Sequence, residues 1–155
     1  MAVSVFGLGF AGVANAANVT SFNPPSMIAA LQNAGYKAVL SKTDDGDPVI
    51  DTGVQGNSIR IVLSNCADHK DCDTTEFLGV WNCASAIPMC QKIADEMNNE
   101  ESPVKLLPLE QGKKTVTYMY LFYDEVGISE KLFVRNLEQF GFYNTKFNEA
   151  VAKAK

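Results

Sequence analysis

The apolar positions of the chain follow two periods, and the switches between them mark out its elements. Met27, Ala30, Leu31 and Ala34 recur at helical spacing after Asn23-Pro24-Pro25, where Asn suits a cap and Pro the first turn. Gly35 stands where such a helix closes. Tyr36 to Leu40 reads as a strand and Asp44-Asp45-Gly46-Asp47-Pro48 as a turn. Val49-Ile50 begins a short strand ended by Gly53 and Gly56. Two longer strands follow, Ile59 to Cys66 and Asp73 to Trp81. In the first, Ile59, Ile61 and Leu63 share one face, and Arg60, Val62 and Ser64 the other.

A second helix is expected after Ser85 as its cap, with Pro88 in its first turn and a stripe of Ile87, Cys90, Ile93, Ala94 and Met97. Val104 to Leu109 and Thr115 to Tyr123 read as two more strands joined at Gln111-Gly112. Ser129 opens a last helix whose stripe is Phe133, Leu137, Phe140, Phe147 and Val151. Gly141 and Asn144 interrupt that stripe, and Gly141 predicts a bend or break. On this reading Phe133, Leu137 and Phe140 cover the sheet. Phe147 and Val151, beyond the break, are the expected contacts for a second copy or a partner. The order α-β-β-β-β-α-β-β-α, with its run of hairpin strands, predicts an α+β domain built on a twisted antiparallel sheet.

Four cysteines, Cys66, Cys72, Cys83 and Cys90, admit three pairings if all are oxidised. If Cys66 faces Cys72, Ile61 comes opposite Phe77, Leu63 opposite Thr75 and Ser64 opposite Thr74. The two apolar faces then coincide, as a correct register requires. Cys83, just before the second helix, is left for Cys90 on its inward face. Free thiols would suit a reducing compartment. The C-x5-C and C-x6-C spacings are not those of zinc ribbons or fingers, and the single histidine, His69, lies in a polar loop.

The N-terminal residues bear on compartment. Val3 to Val13 are apolar or tiny, and Ala14-Asn15-Ala16 fits the small-x-small rule of signal peptidase. Residues 1–16 therefore read as a signal peptide and 17–155 as one domain, with no membrane span, since the apolar run falls short of the ~20 residues a span needs. The basic residue that usually opens a signal peptide is missing. A rival reading takes Gly7-Leu8-Gly9-Phe10-Ala11-Gly12 as a dinucleotide loop. Pro24-Pro25 breaks the helix it needs, and Gln32 and Asn33 stand where its acidic residue belongs. A periplasmic or secreted location is the expectation.

A chain of 155 residues with 46% apolar composition suits a single globular domain. Its net charge of −5, with Lys113-Lys114 as the only adjacent basic pair, argues against a nucleic-acid surface. Asp44-Asp45-Gly46-Asp47 fails the calcium-loop spacing, because Ser41 and Thr52 would occupy its first and last positions. His69 is flanked by Asp68, Lys70 and Asp71, a loop composition, and C-x-x-C is absent. No catalytic residue, cofactor or metal is expected. Tyr118, Tyr120, Phe122 and Tyr123 can be read as a ligand groove, but an aromatic strand is expected to pack into the core.

The segment Leu31-Gln32-Asn33-Ala34-Gly35-Tyr36-Lys37-Ala38-Val39-Leu40, followed by Asp45-Gly46-Asp47-Pro48-Val49-Ile50, resembles the opening of the YbjN-type family of bacterial sensory transduction regulators. A cysteine closing one strand and another opening the next is similar too. The resemblance spans roughly residues 26–150 and is sharp in its first third. It departs at Asp95-Glu96-Met97-Asn98-Asn99, where the family often carries Asn-x-Trp-Asn, and at Cys83 and Cys90, which lie outside the pattern. The resemblance implies a fold like that of type III secretion chaperones, frequently dimeric, with no catalytic residues. The function expected is a non-enzymatic exported binding or regulatory module that holds a protein segment. The alternative is a periplasmic binder of a small molecule or envelope component, with its pocket between sheet and helices.

Overall fold

The computed structural model describes residues 18–154. The expected signal peptide and its cleavage point before Ala17 lie outside the described residues. The expected α+β class is met. In chain order the elements are β1 (Asn18–Val19), α1 (Pro24–Asn33), β2 (Ala38–Lys42), β3 (Pro48–Val54), β4 (Asn57–Ser64) and β5 (Thr74–Asn82). They continue with α2 (Ile87–Asn98), β6 (Lys105–Leu109), β7 (Lys114–Phe122), β8 (Ile128–Ser129) and α3 (Glu130–Lys153). Six strands form one antiparallel sheet in the order β2-β3-β4-β5-β7-β6, and the two-residue strands β1 and β8 pair separately.

Local chemistry sets the boundaries. Pro24 and Pro25 occupy the first turn of α1, but Asn23 makes no side-chain cap. Ser26 instead ties the incoming chain to the first turn: its hydroxyl donates to the Asn23 carbonyl at 2.7 Å and accepts from the Thr20 amide at 3.1 Å. At the other end Gly35 takes φ +85°, and the Gly35 and Tyr36 amides bond back to Gln32 and Leu31, a Schellman closure. Gly53 does not end β3. The strand runs on to Val54, and Gln55-Gly56, both at positive φ, make a two-residue hairpin turn into β4. Ser85 does not cap α2, whose flanking residue is Ala86 without a side-chain cap bond. Ser129 does cap α3, accepting from the Leu132 amide at 3.3 Å.

The β4–β5 register is the expected one, with Ile61 opposite Phe77, Leu63 opposite Thr75 and Ser64 opposite Thr74. Cys66–Cys72 closes this hairpin, and Cys83–Cys90 ties the end of β5 to α2. Two closed bridges mark an oxidising, extracytoplasmic compartment. Among the described residues no helix is long and apolar enough to cross a membrane.

All three helices pack on one face of the sheet. The larger core joins Met27 and Leu31 of α1 and Phe133, Leu137 and Phe140 of α3 to Ile50, Ile59, Ile61, Leu63 and Phe77. A second cluster joins Cys90, Ile93, Ala94 and Met97 of α2 to Leu106 and to Phe147 of α3. The α3 helix runs through Gly141 without a break. Gly141 is a close approach: a Cβ there would collide with the Val54 side chain. Asn144 is no interruption either. Fully buried between the two clusters, its Oδ1 accepts from Thr117 Oγ1 at 2.6 Å and Trp81 Nε1 at 3.1 Å, while its amide donates to the Phe140 carbonyl at 2.9 Å. Every polar atom of this knot is engaged, so its burial carries no desolvation penalty of the unsatisfied kind.

Phe147 is corrected by the same packing. It is 1% exposed and lies 6.0 Å from the Trp81 ring, under α2. Because α3 is one continuous helix through Gly141, its stripe stays on the sheet, and Phe147 is core rather than a partner contact. Val151 is half-buried against the same cluster and keeps part of its surface exposed.

Candidate functional site

The second face of the sheet has no helix on it. Strand alternation assigns to it Arg60 and Val62 of β4, Glu76, Leu78 and Val80 of β5, and Val116, Tyr118, Tyr120 and Phe122 of β7. On the β6 edge it carries Leu107 and Leu109. Register forms these into rows. Val62, Glu76 and Tyr120 lie abreast, as do Arg60, Leu78 and Tyr118, and then Val80, Val116 and Leu107. Phe122 is 77% exposed, Val80 61%, Leu107 49% and Tyr120 46%. Val80 and Leu107 thus form one exposed apolar group and Tyr120 and Phe122 another, with the half-buried Leu78–Tyr118 row between them.

Three of the four aromatic residues expected in the core therefore stand on the open face. Tyr123 alone is buried. The reason lies on the inner side of β5 and β7, where Thr75, Gly79, Thr115 and Thr117 are buried alongside Phe77 and Met119. There α3 comes so close that a Cβ on Gly79 would collide with Asn144 Oδ1 and Thr117 Oγ1. Small residues and hydroxyls fit that gap, Thr117 donating to Asn144 and Thr75 pointing at Tyr123 Oη at 3.4 Å. The alternation of β7 then sends Val116, Tyr118, Tyr120 and Phe122 outward.

The electrostatics of the open face centre on Glu76. The Tyr120 phenol is held above its usual range by burial, by the Glu76 carboxylate beside it and by Tyr118. Tyr118 and Tyr120 meet edge to face with ring centres 5.6 Å apart. Arg60 pairs with Asp51 at 3.2 Å. Beyond that pair the face opens into a cleft of about 580 Å³ at its β2–β4 end, lined by Lys37, Val39, Asp51, Gly53, Ser58 and Arg60 among others. Between sheet and helices the Phe77 ring lies 6.0 Å from Phe133 and 5.8 Å from Phe140.

The four cysteines hold the fold rather than the open face. Cys72, Cys83 and Cys90 are buried and Cys66 half-buried. His69 sits in the loop closed by Cys66–Cys72, with Nδ1 2.7 Å from Asp47 Oδ1 and its ring against Gly46. That contact joins the disulfide loop to the β2–β3 turn. Among the described residues no group of three or more His, Cys, Asp or Glu is placed to hold a metal. Comparison with protein-family models and with curated proteins returns no match to the chain.

Proposed function

We propose that the protein is a non-enzymatic, exported binding module that holds a protein segment on the open face of its sheet. One observation carries the reading: an outer surface on which Val80, Tyr120 and Phe122 are exposed and Leu78, Val116 and Tyr118 half-buried, on a twice-bridged sheet whose other face is packed by helices. Such a surface presents apolar area at no cost of reorganisation, which favours association. Export, to the periplasm or beyond the cell, is supported by the two bridges and by the sequence of residues 1–16. The YbjN-type resemblance and its chaperone-like fold agree with a holding role, and a sheet backed by helices on one side is consistent with them.

Fluorescein-labelled, carboxamidomethylated lysozyme, a permanently unfolded basic protein, tests the role by anisotropy. The intact chain is expected to bind it, and Val80→Ser/Tyr120→Ser to bind at least tenfold more weakly with an unchanged melting temperature. Equal binding by both proteins removes the open face from the function. Export is tested separately by N-terminal sequencing of the exported product, expected to begin at Ala17. An intact Met1 in a reducing pool overturns it.

A further inference from the structure

We infer that the segment held on the open face carries a lysine or arginine within an otherwise apolar stretch, with Glu76 as its counter-ion. The inference rests on the docking role proposed above and names the chemistry of the occupant. Glu76 lies in the middle of the face, on the central strand β5, with Val62 and Tyr120 abreast of it and Leu78 two residues on. Among the described residues its carboxylate has no hydrogen bond and no ion pair; Val62, Leu78, Tyr118, Tyr120 and Phe122 are its apolar neighbours on the face, and Arg60, Ser64 and Thr74 its polar ones. The cations on neighbouring strands are engaged elsewhere. Arg60 is held by Asp51 at 3.2 Å, Lys114 by Glu110 at 2.6 Å, and Lys105 Nζ donates to the Asn98 carbonyl at 3.2 Å.

That leaves one kind of cover. A purely apolar partner would strip water from a carboxylate and give nothing in return, which is strongly unfavourable. A second copy of this face brings those same engaged cations and another carboxylate. An anionic partner meets both Glu76 and a chain of net charge −5. A cationic side chain satisfies the carboxylate, and its stem or guanidinium plane lies on the Tyr118–Tyr120 pair in the manner of a cation on an aromatic face. The flanking apolar residues of the same segment cover Leu78, Val80 and Val116. Glu76 then acts as a specificity element: it weakens every partner that lacks the cation.

A displayed library of random twelve-residue peptides, panned on the full chain with both disulfides intact, supplies the probe. Anisotropy of the selected peptides is then measured against the wild type, Glu76→Gln, Glu76→Lys and Val80→Ser/Tyr120→Ser, each checked for folding by circular dichroism. The expected peptides place Lys or Arg among apolar residues and lose about tenfold or more in affinity on Glu76→Gln, as for a charge-assisted bond. Panning on Glu76→Lys is expected to select acidic peptides instead. Peptides without a cation, unchanged by Glu76→Gln but lost on Val80→Ser/Tyr120→Ser, overturn the inference and leave the docking role standing. Peptides indifferent to all variants, or none selected, overturn both. A dimer in sedimentation that Val80→Ser/Tyr120→Ser dissolves assigns the face to a second copy and also overturns the inference.

Discussion

The two faces of the six-stranded sheet both carry large apolar side chains, yet one is sealed by helices and the other carries none and leaves several of its apolar side chains exposed. On the inner face Ile50, Ile59, Ile61, Leu63 and Phe77 meet α1 and α3 and lose essentially all contact with water. On the outer face Val80, Leu107, Tyr120 and Phe122 meet solvent. Where α3 crosses most closely, over Gly79 and Thr117, the inner face gives up bulk for hydrogen bonds and the aromatics go to the other side. Apolar content along a strand therefore does not say which side is core. What decides is how near the covering helix comes.

The comparison breaks most sharply at the helix. Leu137 and Phe147 are buried on the inner side, so Leu137→Asp and Phe147→Asp each place an unpaired charge in the core. Each is expected to cost about 4 kcal/mol or more, a large share of a small domain's stability. Circular dichroism should show loss of the cooperative transition in both. A folded Phe147→Asp monomer returns that residue to the surface. Next in size is Gly79→Ala, expected to cost about 1–3 kcal/mol through the collision with Asn144. Adding Asn144→Ala should cost less than the sum of the two single changes, a coupling that urea titration of the cycle measures.

Removing one bridge, Cys66→Ser/Cys72→Ser, tests whether the inner core needs its clip. The chain-entropy model gives roughly 2–2.5 kcal/mol for so short a loop, read as a lower urea midpoint. Smaller again is an alkaline effect at Tyr123. Burial pushes its phenol up to about 12, against an ordinary value of 10.0. The unfolded chain then loses the proton first, so the stability held below pH 10 falls as the pH climbs toward 12. The fall is about 1.4 kcal/mol per pH unit at its steepest. Tyr123→Phe should remove that part of the alkaline loss in melts taken between pH 9 and 11. The smallest effect belongs to the bare side: Val80→Ser and Phe122→Ser are expected to change stability by less than about 0.5 kcal/mol. A loss of several kcal/mol there would mean that the outer face is not open.

Much of the architecture was legible because period and register constrain each other. Ile59, Ile61 and Leu63 could face only one side, and Cys66 opposite Cys72 then aligned them with Phe77 and Thr75. The stripe of α3 was legible for the same reason. Its interruptions were misread, because Gly141 and Asn144 look like faults in a helical pattern when neighbours are unknown. Only the approach of Val54 and the acceptors and donors around Asn144 turn them into fitted positions. The same blindness hid the candidate site. Tyr118, Tyr120 and Phe122 follow core chemistry in one dimension, and what exposes them is the Thr117–Asn144 contact across 27 residues of chain. The signal available was the alternation of Thr115, Thr117 and Met119 with Val116, Tyr118 and Tyr120, in which the hydroxyl side is the buried one.

The disulfides have a consequence for how the molecule is made. Each cysteine is bonded to its nearest neighbour along the chain, Cys66 to Cys72 and Cys83 to Cys90. Of the three pairings open to four thiols, this one closes the shortest loops, and short loops meet fastest. In an oxidising compartment each thiol meets its native partner before any other, since the partner is also its nearest neighbour in sequence. Each pair can close on its own, so no wrong bond has to be made and then undone. Both clips lie upstream of β6, β7 and α3, so each can close without waiting for the last third of the chain to pack.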